Sequence, residues 1–389
     1  MKKKILFVLN QMGAGGIAKS LSNLLFFLEK YKNNYQIDLF LLRKDGCYIK
    51  DIPEYVNVIE AKGLLKLFGA SQKDTKKFGK WQIFQRFCVA AFSKIFTNYL
   101  PLKYGAKRNA LKQEYDCVIS FAHTQSNRCM AAGSVEFVLW GVKAKRKFCF
   151  LHSDVVKEKL LSKSNIKKLK QFDKLFSVSQ SCSLQVSKIC PELAPLCDYL
   201  YNTQRNDVII NKADEFTVPF DENFNLLMVS RLEREKAHLR FLPIIKRLHD
   251  EGFIFNLNIV GTGSLQPEIE LFLNDNNMRS YVKLYGERRN PYPYFKAADL
   301  FVLVSYYEAA PMVYNESLLL GTPIFTTNII SAQEMVREYG FICDNNENAI
   351  YEMLKQVLLN RELVKEKRKL LKNYCYNNAE IVEKLVRLF

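Results

Sequence analysis

The sequence predicts an α/β protein built from two tandem, Rossmann-like doubly wound domains facing each other across a cleft. Three observations carry that prediction. From the first residues, strand-length apolar runs alternate with segments of helical periodicity. The same alternation restarts near residue 224. Between the two series lies a polar stretch of weak periodicity, which marks a boundary. Alternating βαβ units build parallel sheets, and such sheets bind ligands outside the carboxyl ends of their strands.

In the first domain, residues 4–9 read as a buried strand and Gly13-Ala14-Gly15-Gly16 as the loop after it. Ile17, Leu21, Leu24, Leu25 and Leu28 follow at helical spacing, and residues 35–42 form the next strand. Further strands are expected over 55–60, 115–121, 148–151 and 175–179. In the second domain, strands are expected over 224–230, 254–260, 282–285, 300–304 and 323–326. Helices are expected over 237–249, 265–273, 293–298 and 312–320, with a mostly helical tail after 349. The boundaries read as a first domain over 1–202, a linker over 203–221 and a second domain over 222–370. The last helix, 371–389, is expected to return to the first domain.

Composition excludes several classes. The chain has 389 residues, 48% of them apolar, too many for a disordered state. The apolar runs are far shorter than the ~20 residues of a membrane span. The run after Met1-Lys2-Lys3-Lys4 stops at Leu9 without a cleavage site, so a strand is expected there and not a secretory leader. Ten cysteines without a Cys-x-x-Cys pair read as reduced thiols in a cytoplasm. The formal charge is +17. Most of it sits in residues 62–112, which hold twelve basic residues, Lys73, Lys76 and Lys77 among them, against one acid, Asp74. Nine aromatics interleave with them, and Trp81, Phe84, Gln85, Cys88 and Phe92 share one face if this stretch is helical. An interfacial helix on an anionic membrane explains that pattern. So does a solvated insertion whose aromatics pack on the first domain. The basic run 157–174 would extend the same face.

Four segments could carry chemistry. Ser305 to Glu316 follows a strand and opens a helix, with Pro311 placed for the first helical turn and no Ser, Thr, Asp or Asn at the expected N-cap. Free amides at such a start attract phosphate, and the flanking carboxylates Glu308 and Glu316 could accept hydrogen bonds from sugar hydroxyls. Two exposed acids beside a water-capped helix are the plain alternative. Arg231 and Lys236, in Ser230-Arg231-Leu232-Glu233-Arg234-Glu235-Lys236, could converge on a diphosphate, or belong to an ordinary charged loop. Gly13-Ala14-Gly15-Gly16 fits neither a dinucleotide fingerprint nor a P-loop, and Gly261-Thr262-Gly263 needs no more than a turn. His152 ends a first-domain strand with Asp154 two residues on, and His123 ends another, so both would lie at the cleft. No Asp-x-Asp occurs, so diphosphate charge would be met by Arg231, Lys236 and helix amides, and no metal or cofactor is expected.

Together these pieces resemble the retaining glycosyltransferases of family 4, which have the GT-B fold. Glu308 to Glu316 matches the family's Glu-x7-Glu pattern, with Ser317 to Ile324 after it and Lys296 to Val302 before it. Ser230-Arg231-Leu232 with Lys236 matches its Arg/Lys pair, while Gly15-Gly16 and Leu151-His152-Ser153 match more loosely. The resemblance implies that Arg231 and Lys236 hold the donor diphosphate, helped by Gly15, Gly16 and the amides of Met312 and Val313. It implies Glu316 on the ribose, Glu308 on the donor sugar, the base near Gly286 and Glu287, and His152 on the acceptor side with His123 and Asp154. The implied catalytic set is Glu308, Arg231, Lys236 and His152.

The implied reaction moves a sugar, from a UDP-sugar in the first instance, to a saccharide or lipid-linked acceptor with retention. It would serve bacterial surface polysaccharide assembly at the inner face of the membrane. Two positions depart from the family: Ala309-Ala310 replaces the usual glycine after the first glutamate, and Ala237 replaces a glycine after Lys236. A nucleotide-sugar epimerase or hydrolase would share the donor site. A nucleic-acid-binding protein is the remaining reading of the charge, and no nucleic-acid module supports it.

Overall fold

The computed structural model describes residues 2–70 and 78–389. Asp74, Lys73, Lys76 and Lys77 of the basic stretch lie outside the described residues. The chain divides into two compact units, Met1–Gln204 with Asn378–Phe389, and Arg205–Asn377.

The first unit runs β1 (Lys3–Leu9), α1 (Gly16–Leu28), β2 (Tyr35–Leu41), β3 (Asn57–Glu60), α2 (Leu64–Phe68), α3 (Lys80–Phe96), α4 (Tyr99–Arg108), β4 (Glu114–Ser120), α5 (Ser134–Trp140), β5 (Lys143–Leu151), α6 (Lys163–Leu169), β6 (Lys174–Ser177), α7 (Gln180–Ile189) and β7 (Cys197–Tyr199). Its seven strands are parallel, in the order β3-β2-β1-β4-β5-β6-β7. The order reverses between β1 and β4, so the loops after these strands open side by side at the carboxyl edge. Ile5 to Leu9 are all buried, as strands covered on both faces require. β5 starts five residues before the 148–151 expected from the sequence. Its extra half is basic and leans on acids: Lys145 Nζ reaches Asp116 Oδ1 at 2.7 Å, and the Lys147 amide reaches Asp173 Oδ2 at 2.7 Å. β7 is a short edge strand with no apolar run to announce it.

The second unit runs α8 (Asn206–Lys212), β8 (Phe224–Val229), α9 (His238–Asp250), β9 (Phe255–Val260), α10 (Gln266–Asp275), β10 (Val282–Gly286), α11 (Tyr292–Ala297), β11 (Leu300–Leu303), α12 (Met312–Leu319), β12 (Ile324–Thr327), α13 (Ala332–Met335), β13 (Gly340–Cys343), α14 (Glu347–Leu359) and α15 (Glu362–Leu370). The six strands are parallel in the order β10-β9-β8-β11-β12-β13, reversing between β8 and β11.

The stretch expected as a linker, 203–221, belongs mostly to this second unit. It contains α8, and Ile209, Ala213 and Val218 join the core formed with Phe295, Phe301 and Tyr314. One turn of apolar spacing in a polar stretch is too little periodicity to reveal a helix. Pro311 also differs from expectation. It stands at the N-cap of α12, with φ −64° and ψ 119°, and the helix begins after it.

The last helix, α16 (Asn378–Val386), is part of the first unit. Lys384 Nζ donates to Asp198 Oδ1 at 2.8 Å and to Tyr199 O at 2.6 Å. Lys3 Nζ donates to Phe389 O at 2.7 Å, and the Phe389 ring meets Tyr35 with centroids 5.3 Å apart. Residues 371–377 stay with the second unit, where Leu371 is buried.

Candidate functional site

The reversal in the second sheet determines where its charged loops go. β8 and β11 are neighbours, pairing Leu226 with Leu300 and Leu227 with Phe301. The loop after β8 carries Arg231 and one 3-10 turn, Arg234–Lys236. The loop after β11 carries Ser305 to Pro311. The two loops are tied by the Tyr306 amide, which donates to Glu235 O at 2.9 Å.

The side chains meet at the same place. Lys236 Nζ pairs with Glu308 Oε1, and the two side chains are 16% and 14% exposed. Ser305 Oγ donates to the same carboxylate oxygen at 2.9 Å. Arg231, 66% exposed, reaches Glu235 Oε1 at 2.9 Å. Both expected cations therefore already face a carboxylate. An arriving diphosphate would exchange with Glu308 and Glu235 for them, and Arg231, being exposed, yields at little cost.

Two glycines explain why the β8 loop can hold this path. A Cβ on Gly261, whose φ is +143°, would lie 1.9 Å from Ser230 O. A Cβ on Gly263 would lie 2.2 Å from Leu232 O. The Leu232 amide donates to Thr262 O at 3.0 Å. Gly261-Thr262-Gly263 is thus the floor on which the Arg231 loop rests. Ala237, the residue after Lys236, is buried in the left-handed region at φ 58° and ψ 31°. An alanine there carries a strain of roughly 1 kcal/mol that a glycine would not.

Glu316 lies on α12, 3% exposed. α12 is pinned to the sheet by Tyr314, whose hydroxyl lies 2.5 Å from Thr326 Oγ1 and whose pKa is pushed up by burial. Among the described residues no side chain caps the start of α12, so the amides around Met312 and Val313 present the helix's positive end. Gly286, at φ +69°, has open space where a Cβ would point, and Glu287 is exposed beside it.

Sequence reasoning missed Arg240 and Asn345. Arg240 lies on α9 but is only 9% exposed. Its guanidinium donates to Val304 O and, at 2.7 Å, to Asn345 Oδ1. It also sits 4.3 Å from the centre of the Tyr306 ring. Asn345 Nδ2 donates to Tyr306 O at 3.1 Å. The clamp holds the loop carrying Glu308 from beneath. An arginine on an amphipathic helix reads as solvent-facing, so the sequence held no signal for it.

In the first unit, Gly13 to Gly16 and His123 follow the neighbouring strands β1 and β4. Gly15 precedes α1 with an extended φ of 168°, and the space at its Cβ position is open. The His152 ring lies against Phe121 and Phe150, at 4.7 and 5.6 Å between centroids. Burial, with the His123 charge as a smaller cause, pushes its pKa down to about 3. Its Nε2 is buried without a hydrogen-bond partner among the described residues. Burial likewise pushes His123 down to about 4, and its Nε2 lies 3.0 Å from Ser153 Oγ. Asp154 does not join these rings: it is buried, and its Oδ1 accepts from the Lys157 amide at 3.0 Å. Its aspartate closes the turn after β5, as aspartates do at turn starts.

The basic run 157–174 is also less free than its composition suggests. Lys168 is buried against Glu136 at 2.7 Å, and Lys170 pairs with Glu192 at 2.7 Å. Among the described residues, no group of three or more His, Cys, Asp or Glu side chains could hold a metal ion.

The stretch holding the Lys236–Glu308 pair is where the chain is matched by a known family. Residues 210–378 match the family model of glycosyl transferases group 1. The matched residues include Arg231, Lys236, Glu308 and Glu316. The chain also matches curated relatives, spanning less than half of the length of each. One is the Escherichia coli UDP-Gal:alpha-D-GlcNAc-diphosphoundecaprenol alpha-1,3-galactosyltransferase, 29% identical over 164 residues, covering 39% of this chain and 42% of that protein.

The likeness in fold runs through the whole chain. A glycosyltransferase of Rickettsia africae superposes with a TM-score of 0.65 at 15% identity, covering 100% of this chain and 97% of that one. Anabaena HepE, solved with UDP and glucose, superposes with a TM-score of 0.68 at 16% identity, covering 99% of each chain. Two parallel sheets of seven and six strands, matched end to end, give the chain the GT-B fold.

Proposed function

We propose that the protein is a retaining glycosyltransferase that takes a sugar from a UDP-sugar and gives it to a saccharide or lipid-linked acceptor in bacterial surface polysaccharide assembly. The observation that carries this reading is the Lys236–Glu308 pair, set beside Arg231 and the uncapped start of α12. A site with two cations, a helix N-terminus and a carboxylate that must share one of those cations suits an anionic diphosphate bearing a hydroxylated ring. The galactosyltransferase relative and the UDP and glucose in HepE support a UDP-sugar as donor, and the relative supports a diphosphate-linked lipid as acceptor.

In this mechanism Arg231, Lys236 and the α12 amides bind the diphosphate. As the bond between the anomeric carbon and the leaving oxygen lengthens, negative charge grows on the diphosphate. Fixed cations there stabilise the transition state more than the ground state. Glu308, released from Lys236 and still oriented by Ser305, accepts hydrogen bonds from the donor sugar. Glu316 binds the ribose. The acceptor oxygen attacks from the face the diphosphate leaves, and the acceptor's proton passes to a phosphate oxygen. Retention follows from that shared face. His152, kept neutral at physiological pH by burial, stands on the acceptor side.

The test is turnover with a panel of UDP-hexoses and an undecaprenyl- or farnesyl-diphosphate-linked sugar, with the product anomer read by NMR. Alanine at Arg231, Lys236, Glu308 or Glu316 is expected to lower kcat/KM at least tenfold, roughly 1.4 kcal/mol of transition-state stabilisation. Wild-type turnover in an Arg231→Ala/Lys236→Ala double variant would overturn the site. Release of UDP unaffected by acceptor, with no new glycoside, would make the protein a hydrolase.

A further inference from the structure

α3 is built inside out. Its 17 residues make a rod of about 25 Å. Helices on a protein surface turn their apolar stripe inward and their polar face to water. Here the inward side carries Ser93, fully buried, with Arg86 and Val89 half-buried. The outward side carries Trp81, Phe84, Phe87 and Ile95, which are 67%, 54%, 70% and 68% exposed. The face is held in place. Arg86 donates to Leu67 O, and Val89 packs on the first unit's core. Trp81 and Phe84 stack with centroids 5.6 Å apart, forming a flat apolar plate. The next helix, α4, follows the ordinary rule, burying Leu102, Gly105 and Ala106, and leaves Leu100 and Tyr104 exposed.

A run of large apolar side chains at such exposure marks a surface that is covered in use. The charge around it names the cover. Residues 78–112 hold seven lysines and arginines and no acid. Lys80 and Lys94 stand near the two ends of α3 and are exposed. A second copy of this chain would bring the same positive charge onto the same patch in an isologous contact, which is repulsive. An anionic bilayer complements both features. The aromatic and aliphatic side chains enter the headgroup boundary, and the lysines reach back to the lipid phosphates.

We propose that α3 lies in the plane of an anionic membrane, with Trp81, Phe84, Phe87 and Ile95 inserted and the exposed Lys80 and Lys94 on the headgroups. This docking surface belongs to the first unit and needs neither Lys236 nor Glu308. Its failure and a failure of the proposed reaction are therefore separate outcomes.

The experiment is vesicle flotation of the full chain, without nucleotide, on phosphatidylcholine vesicles with and without about one-third phosphatidylglycerol. Trp140→Phe leaves Trp81 as the only tryptophan, so quenching by brominated lipid reports that side chain alone. Binding to the anionic vesicles, weakened by salt and with Trp81 quenched, is expected. A Phe84→Ser/Phe87→Ser/Ile95→Ser variant changes only exposed positions. It should lower the bound fraction at least tenfold while keeping the wild-type circular dichroism and melting temperature. Absence of binding at low salt would overturn the proposal. So would binding with Trp81 unquenched, or a wild-type dimer in sedimentation that the triple variant abolishes, since the face would then belong to a second copy.

Discussion

Arg240 sits beneath the loop that carries Glu308 and holds it through Val304 O, Asn345 and the Tyr306 ring. A lysine keeps the charge but has one compact head in place of a planar fork, so it cannot serve the backbone carbonyl and Asn345 together. Arg240→Lys is expected to cost roughly 1–3 kcal/mol of stability through the unmet buried partners. If Arg240 positions Glu308, kcat should fall several-fold and the KM for donor should rise, because Glu308 holds the donor sugar and pairs with Lys236. Steady-state kinetics with a parallel thermal melt checks this. A loss of stability with kcat intact would make the clamp purely structural. At this scale the charged members of the site were legible in the sequence, since Arg231, Lys236 and Glu308 stand at strand ends. Their mutual contact was not. The Lys236–Glu308 pair joins residues 72 positions apart and depends on β8 and β11 being neighbours.

Among the elements, α16 is the one whose place depends most on distant sequence. It closes the first unit from the far end of the chain, through Lys384 on β7 and Phe389 beside β1 and β2. A chain ending at Asn377 loses these contacts and the buried Ile381, Val382 and Leu385. Burying each such side chain is worth about 1.5–3 kcal/mol. Truncation is therefore expected to lower the first unit's melting transition by many degrees and leave that of the second unit near its original place. Calorimetry resolves the two, and an equal fall in both transitions would contradict the assignment. The long buried strands, α1 and α9 to α12 were legible from periodicity. β7, β13 and α8 were not. They are three to seven residues long and lie at a sheet edge or unit boundary, where one face alone is covered.

The whole molecule is expected to respond to acid unevenly. Burial lowers His123 and His152 in the first unit to about 4 and about 3, and His238 in the second to about 4, from an ordinary value of 6.5. Below pH 6.5 the unfolded chain therefore binds protons that the folded chain refuses, so stability falls as pH falls towards 4. Each histidine contributes on the order of 1 kcal/mol of loss by about pH 5.5. With two such groups against one, the first unit should lose more than the second between pH 7.5 and 5.5. Calorimetry at the two values checks it, and transitions that do not move would contradict the buried, neutral state of these rings.

The sequence by itself determined the α/β class, the two strand series and the charged residues at the strand ends. Each of these is written in local periodicity or in the residue types of one loop. Only the tertiary structure decided which carboxylate Lys236 faces, that Arg240 is buried, that α8 joins the second unit, that α16 returns to the first, and that α3 turns its aromatics outward. Those features depend on which strands become neighbours and which helix face meets a core. Such contacts join residues far apart in the chain, and no local pattern records them.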